Sequence, residues 1–379
     1  MLVGHVTTTR FCTRTPSFLS RYSGAASSLL SRSRAHRRVF STDEPPGDGQ
    51  RPPATSRGAA PAKELAEATA RGVGQVIFLN DVNAGLVIGF GLALADPYLA
   101  GLAGLGAATA TGTSTLLGLD KGAVKDGLMG YNGCLCGCAA AVFGSTSVVA
   151  ATTATIAGAA VTVPVALSLQ AAMGRSPQWT FAFNLVTLTS LLRSRPLLVP
   201  STKGEAAEAV EAVNGVENAS GGGNVFAEVL ASPLTGISQI FVVQSAMSGA
   251  VILGGIASYS PRLAAHALCG SATGTVVGAL SGAPLEELTA GLYGFNSALT
   301  SMAVGVFFVN SAPTLVLSAG GAAATASLFG AMKAVFGAYG APCLTLPFCF
   351  AMSGCYLLHG RVPGLLLARA PHSPEKNTV

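Results

Sequence analysis

The sequence predicts an all-α, polytopic membrane protein made of two inverted repeats of five transmembrane helices each, with re-entrant half-helices. Three observations predict it. Half of the 379 residues are hydrophobic, only 10% are charged, and the mean hydropathy is +0.53, whereas soluble domains carry about 25% charge to cover a wet surface. The apolar residues fall in stretches of about 20, enough to cross a hydrocarbon core ~30 Å thick. The second half of the chain repeats the first. The 47 glycines add to this picture, because small residues let helices approach closely where no water drives them together.

Residues 1–42 hold Arg10, Arg14, Arg21, Arg32, Arg34, Arg37 and Arg38 and no acidic residue before Asp43. Two readings fit this basic, acid-poor stretch: an organelle transit peptide and a disordered tail. It lacks the continuous apolar run of a secretory signal. Residues 44–62 are a Pro/Gly linker too polar to fold, so 1–62 is read as a disordered leader and linker. Most of the net charge of +5 belongs to the leader, which leaves no basic face for nucleic acid.

The first transmembrane repeat is expected over 63–198, with spans near 76–95, 98–117, 130–149, 151–172 and 180–198. A hydrophilic connection follows over 199–227, carrying Lys203, Glu205, Glu208, Glu211, Glu217 and a glycine run. The second repeat is expected over 228–363, with spans near 238–258, 261–281, 294–310, 313–335 and 345–359. Residues 364–379 form a C-terminal tail.

An offset of 164 residues aligns Gln75 with Gln239, Gly85 with Gly249, Pro97 with Pro261, Asn132 with Asn296, Leu135 with Leu299 and Phe143 with Phe307. An offset of 165 then aligns Pro177 with Pro342, Thr180 with Thr345 and Phe183 with Phe348. An odd number of spans per copy makes the second copy enter the membrane from the opposite side. Inverted repeats of this kind hold their functional path at the interface near the midplane. The stretches "LDKGAVKDGLMGYNG" and "APLEELTAGLYGFNS", and the breaks "GRSPQWTFAFN" and "YGAPCLTLPFC", are the expected half-helices, whose free backbone ends can serve a polar solute.

Apart from Asp81 and Lys333, the expected spans are nearly free of charge, and a charge at the bilayer centre costs about 2.5–3.5 kcal/mol or more. The matched polar positions are neutral: Gln75, Asn132 and Thr180 with Gln239, Asn296 and Thr345. Neutral oxygens suit a small neutral solute. Each position also has a structural reading, Thr bonding a carbonyl of its own helix and Asn joining neighbouring helices. Cys134, Cys136 and Cys138 alternate along a helix and point to different faces, so they read as packing residues and not as a metal site. The five histidines are unpaired by spacing, which speaks against an enzyme, and no metal or cofactor is expected.

"GQVIF" at Gly74–Phe78, "SQIFV" at Ser238–Val242, "GLMGYNG", "GLYGFNS", "SPQWTFAFN" at Ser176–Asn184 and "APCLTLPFC" at Ala341–Cys349 together resemble the urea transporter family over about residues 70–360. The resemblance implies a homotrimer in a lipid bilayer, with one pore per subunit and passive, selective urea flux. By position, Gln75 and Gln239 would face the two pore mouths. Thr180 and Thr345 would supply hydroxyls to a central row of oxygens, and Phe78, Leu135 and Leu299 would wall a flat slot. Three departures stand out. Ser176 and Ala341 replace a leading Leu, Ala182 replaces a Pro, and Val242 stands where the first copy has Phe78, so the second slot is expected to be looser. Short amides, ammonia and water are the alternative solutes. The membrane is expected to be the plasma membrane or, if the leader targets, a mitochondrial or plastid one.

Overall fold

The computed structural model describes residues 60–144, 147–193 and 225–379. The leader reading and the hydrophilic connection lie almost wholly outside these residues. The described residues fold as helices, with a single antiparallel bridge between Phe308 and Leu367. The first copy contains α1 (Ala60–Gln75), α2 (Val82–Ala95), α3 (Pro97–Leu116), α4 (Lys121–Lys125), α5 (Tyr131–Phe143), α6 (Val148–Met173) and α7 (Phe181–Arg193). The second contains α8 (Val225–Gln239), α9 (Ala246–Tyr259), α10 (Pro261–Leu280), α11 (Leu285–Thr289), α12 (Gly294–Phe307), α13 (Ala312–Gly337) and α14 (Leu346–Leu357).

The helix starts recur because their caps recur. Asp81, Asp96 and Ser147 accept hydrogen bonds from first-turn N–H groups of α2, α3 and α6. At the 164 offset, Ser245, Ser260 and Ser311 do the same for α9, α10 and α13. Each side-chain oxygen satisfies an orphan donor and is worth about 1 kcal/mol. Asp81 is therefore a cap and not a charge within a span. Lys333 is paired with Glu287, so neither charged exception is left alone.

The boundaries differ from the expected spans in an informative way. The span expected at 76–95 is a broken segment: α1 ends at Gln75, and α2 starts only at Val82. The second copy repeats this break between Gln239 and Ala246. Hydropathy runs straight through both breaks, because Val76, Ile77 and Leu79, like Ile240, Phe241 and Val243, are buried in the core although they are not helical. The spans expected at 130–149, 294–310 and 345–359 shrink to helices of 12 to 14 residues. At 1.5 Å per residue these are about 20 Å long, short of a hydrocarbon core. Among the described residues three helices, α6, α10 and α13, are long and apolar enough to cross a membrane.

The centre of each copy is a helix buried on every face. In α5 the run Asn132–Ala139 is buried, and in α12 the run Gly294–Val306. Such all-round burial marks a core helix. Cys134, Cys136 and Cys138 lie in that run as free, buried thiols. Close approach depends on missing side chains: a Cβ on Gly85 would lie 1.9 Å from the Ala70 carbonyl oxygen, and one on Gly249 1.9 Å from that of Leu234. These matched glycines let α2 lie on α1 and α9 on α8. The copies meet where α2 packs on α9, with Ser248 Oγ donating to the Gly91 carbonyl at 2.7 Å. On the outside, Leu86, Phe90 and Leu94 follow one another along α2, and Val149, Val161, Val316 and Val335 stand on α6 and α13, all exposed. Apolar belts of this extent belong against lipid or a partner.

Residues 364–379 are not a free tail. Ala368 N donates to the Phe307 carbonyl at 2.9 Å, and the Asn377 amide donates to the carbonyls of Gly305, Val306 and Phe308 at the end of α12. Glu375 accepts from Ser260 Oγ at 2.5 Å and from the Arg262 N–H at 2.8 Å at the start of α10. The tail thus caps one helix C-terminus and one helix N-terminus with groups of the fitting polarity.

Candidate functional site

The short helices α7 and α14 bring the two copies together at their first residues. Thr180 and Thr345 sit just before these helices, both buried, with their hydroxyl oxygens 2.8 Å apart. Asn184, one turn into α7, donates to Thr345 Oγ1 and to the Thr180 carbonyl, each at 2.8 Å, and accepts from the Thr345 N–H at 3.1 Å. The thiol of Cys349, the counterpart of Asn184, lies 3.1 Å from Thr180 Oγ1. Two hydroxyls, an amide and a thiol thus meet in an otherwise apolar core.

Asn132 and Asn296 hold α7 and α14 in place. Asn132 Oδ1 accepts from the Phe183 N–H at 3.2 Å, and Asn296 Oδ1 from the Phe348 N–H at 3.3 Å. Each reaches across from the central helix of its copy and satisfies a donor in the first turn of α7 or α14, the task a local cap performs elsewhere. Asn296 Nδ2 also donates to the Leu344 carbonyl at 3.1 Å. Leu135 and Leu299 are each 1% exposed and lie one turn further along the same helices.

Among the described residues four other than glycine have positive φ: Phe78 (67°), Val242 (62°), Trp179 (49°) and Leu344 (49°). They form two matched pairs at helix breaks. A side chain in this region costs roughly 1–2 kcal/mol, and such strain gathers at functional positions. Phe78 and Val242 follow the two glutamines by three residues. Gln75 donates its amide to the Asp126 carbonyl at 2.8 Å, whereas the side chain of Gln239 makes no hydrogen bond with any described residue.

A cavity of about 130 Å³ opens beside Gln239 and reaches Thr345. Phe143, Phe183, Val242, Leu292 and Leu344 wall it, and Lys333 stands at its edge. It takes walls from both copies. Gln75, Phe78, Asn132, Leu135, Thr180, Asn296 and Leu299 do not line it. Phe78 instead packs among rings on the other side, 6.1 Å from Phe307 and 6.2 Å from Phe348. Among the described residues no group of three His, Cys, Asp or Glu side chains is placed to hold a metal.

Residues 66–360 match the family profile described as Urea transporter. The chain belongs to the urea transporter family. Curated relatives include urea transporter 1 of Ovis aries and of Capra hircus, each 30% identical over 321 residues that cover 82% of this chain and 81% of the relative. Urea transporter 1 of Rattus norvegicus is 30% identical over 315 residues, 80% of each chain. As a urea transporter family member with apolar helices, the chain is an integral membrane transporter of urea and not an enzyme.

Sequence reasoning missed Asn184, because its counterpart is a cysteine and the pair breaks the repeat match. It also missed the ion pair of Lys333 with Glu287, whose counterparts are Leu169 and Ala123. Trp179, the one tryptophan of the chain, carried a visible signal in its place beside Thr180.

Proposed function

We propose that urea crosses passively through a path between two inverted copies, from Gln75 on one side to Gln239 on the other, past Thr180 and Thr345. The observation that carries this reading is the contact between the two threonine hydroxyls, one from each copy, at the edge of a cavity that opens toward Gln239. Urea is planar and neutral, with four N–H donors and one carbonyl. An unpaired polar group in a dry constriction costs about 1–3 kcal/mol, so hydroxyl and carbonyl oxygens along one wall must replace the water that urea sheds. Phe78 and Val242 present flat or small apolar faces to that path. Leu135 and Leu299 support it from behind, and Asn132 and Asn296 act by holding α7 and α14.

In this reading the breaks between α1 and α2 and between α8 and α9, together with the short α7 and α14, are re-entrant elements of five-span repeats. Three copies associate through the outward apolar helices, each with its own path. Residues 1–42 target the protein to an organelle membrane. A fusion of residues 1–62 to a fluorescent protein that stays diffuse in the cytosol would rule out that targeting.

Stopped-flow light scattering of proteoliposomes tests the transport reading. Vesicles holding the full chain should equilibrate urea much faster than empty ones, with formamide, ammonia and water gaining less; urea flux equal to that of empty vesicles would overturn it. Thr180→Val and Thr345→Val keep shape but remove a hydroxyl, and each should slow urea about tenfold for the ~1–1.5 kcal/mol of one lost hydrogen bond.

A further inference from the structure

We propose that Trp179 is the residue that sets the size of solute the path accepts, by filling the first-copy counterpart of the cavity beside Gln239. This inference rests on the urea path described above. The cavity is walled by Phe143, Phe183, Val242 and Leu344 next to Thr345. The repeat places Phe307, Phe348, Phe78 and Trp179 at the same positions next to Thr180. Both Phe pairs are kept, so the two sides differ where Val becomes Phe and Leu becomes Trp. The extra ring atoms occupy the corresponding space: Trp179 meets Phe307 edge-on at 5.1 Å and Phe348 at 6.0 Å, and Phe78 meets the same two rings. Trp179 is 4% exposed.

The indole is held in place by groups that the second copy lacks. Its Nε1–H donates to Ser353 Oγ at 2.9 Å, where the counterpart of Ser353 is Leu188. Its carbonyl accepts from the Tyr131 hydroxyl at 2.6 Å, and that hydroxyl also receives a hydrogen bond from Gln178. Phe295 and Cys343 stand at the corresponding positions and offer no such bonds. Trp179, Tyr131, Gln178 and Ser353 therefore form one set, and together they fix a rigid ring beside Thr180. Buried polar groups with all partners made hold a single geometry. A solute that passes the Gln239 side with room to spare must then pass edgewise against a fixed indole. Unsubstituted urea fits such a slot, and N-methyl groups or the larger sulfur of thiourea do not.

The test measures permeability of full-chain proteoliposomes to urea, N-methylurea, N,N′-dimethylurea and thiourea. Trp179→Leu, which installs the residue of the second copy, should raise the ratio of dimethylurea to urea permeability about tenfold, the discrimination expected of one or two methyl groups in an apolar slot. Trp179→Phe keeps an aromatic ring on the same seat, protects the fold, and should raise the ratio by a smaller factor. Ser353→Ala frees the indole only and should move the ratio in the same direction. An unchanged ratio in both Trp179 variants overturns the proposal, including the case where all four solutes slow together. If Trp179→Leu yields no folded transporter, the ratio in Trp179→Phe decides. Wild-type protein that conducts no amide faster than empty vesicles would instead overturn the transport reading itself.

Discussion

The two sides of the threonine pair are built on one plan and finished differently. On the Gln239 side Val242 and Leu344 leave a cavity of about 130 Å³, with the Lys333–Glu287 pair at its edge. On the Gln75 side Phe78 and Trp179 close against Phe307 and Phe348, and no ion pair stands at the corresponding positions. The tail adds to the contrast, because it holds the Phe307 end of α12. A duplicated chain can thus keep its backbone, strained positions included, and place rigidity on one side and space on the other. What the difference teaches is that repetition governs where the helices break, and single side chains govern how each break is packed.

The contrast can be broken first at the centre, where the expected effect on stability is largest. Asn184 and Cys349 are counterparts, yet Asn184 makes three hydrogen bonds to Thr180 and Thr345, and Cys349 makes contacts of thiol quality. Asn184→Ala leaves the Thr345 N–H without this acceptor and should cost about 2–4 kcal/mol. Cys349→Ala should cost about 1 kcal/mol. Thermal unfolding in detergent separates them; equal shifts would show that the centre is symmetric in energy as well as in backbone.

A smaller effect is expected at the ion pair. Lys333 is partly exposed at the cavity edge, while Glu287 Oε2 is buried without a hydrogen-bond partner. Lys333→Met leaves the carboxylate alone and should destabilise by about 1–2 kcal/mol, less than a fully buried pair would because water reaches the lysine. Restoration of the melting temperature in Lys333→Met combined with Glu287→Gln would identify the unpaired charge as the cause.

Val242→Phe, which makes the open side resemble the closed one, should change urea flux only about twofold. In the path proposed above, passage runs through sites in series with the Trp179 side limiting. A tenfold loss in the same stopped-flow assay would place the limiting step at Val242 instead.

The weakest expected effect concerns the tail. Burial lowers the His372 pKa, with Lys376 adding to the shift and Glu375 opposing it. For Glu375 partial burial acts upward, but hydrogen bonds from Ser260 and the Arg262 N–H outweigh it, and the carboxyl lies below its usual range. Both groups are held in the form that prevails at neutral pH. The docking they support is therefore complete above their ordinary pKa values and lost as pH falls, first with His372 below about 6.5 and then with Glu375 below the carboxylate range. Hydrogen exchange of residues 369–379 should rise between pH 7 and pH 4 while α12 stays protected. No rise would mean that groups that do not titrate in this range hold the tail, Asn377 and the Ala368 N–H among them.

Much of this was legible in the chain before any coordinates. Offsets of 164 and then 165 residues relate the helices of one copy to those of the other, and one matched pair, Thr180 and Thr345, meets in the structure. The roles within the matched set were not legible. Asn132 and Asn296 have identical surroundings in the sequence to a solute-binding pair, and only their distance to the Phe183 and Phe348 N–H groups shows them holding helices. Hydropathy also ran across the breaks after Gln75 and Gln239, since residues that leave the helix there are as apolar and as buried as those within it.

By itself, the sequence determined that the chain lives in a membrane, that it is duplicated, and that its repeated polar groups are neutral. Composition and periodicity report these directly, because transfer of side chains from water to lipid is nearly additive along a chain. The tertiary structure alone decided that Thr180 touches Thr345, that Asn184 serves both, and that Trp179 packs against Phe307 and Phe348. Those facts depend on which side chains meet across 165 residues of chain, and contact is a property of the packed whole that no local pattern carries.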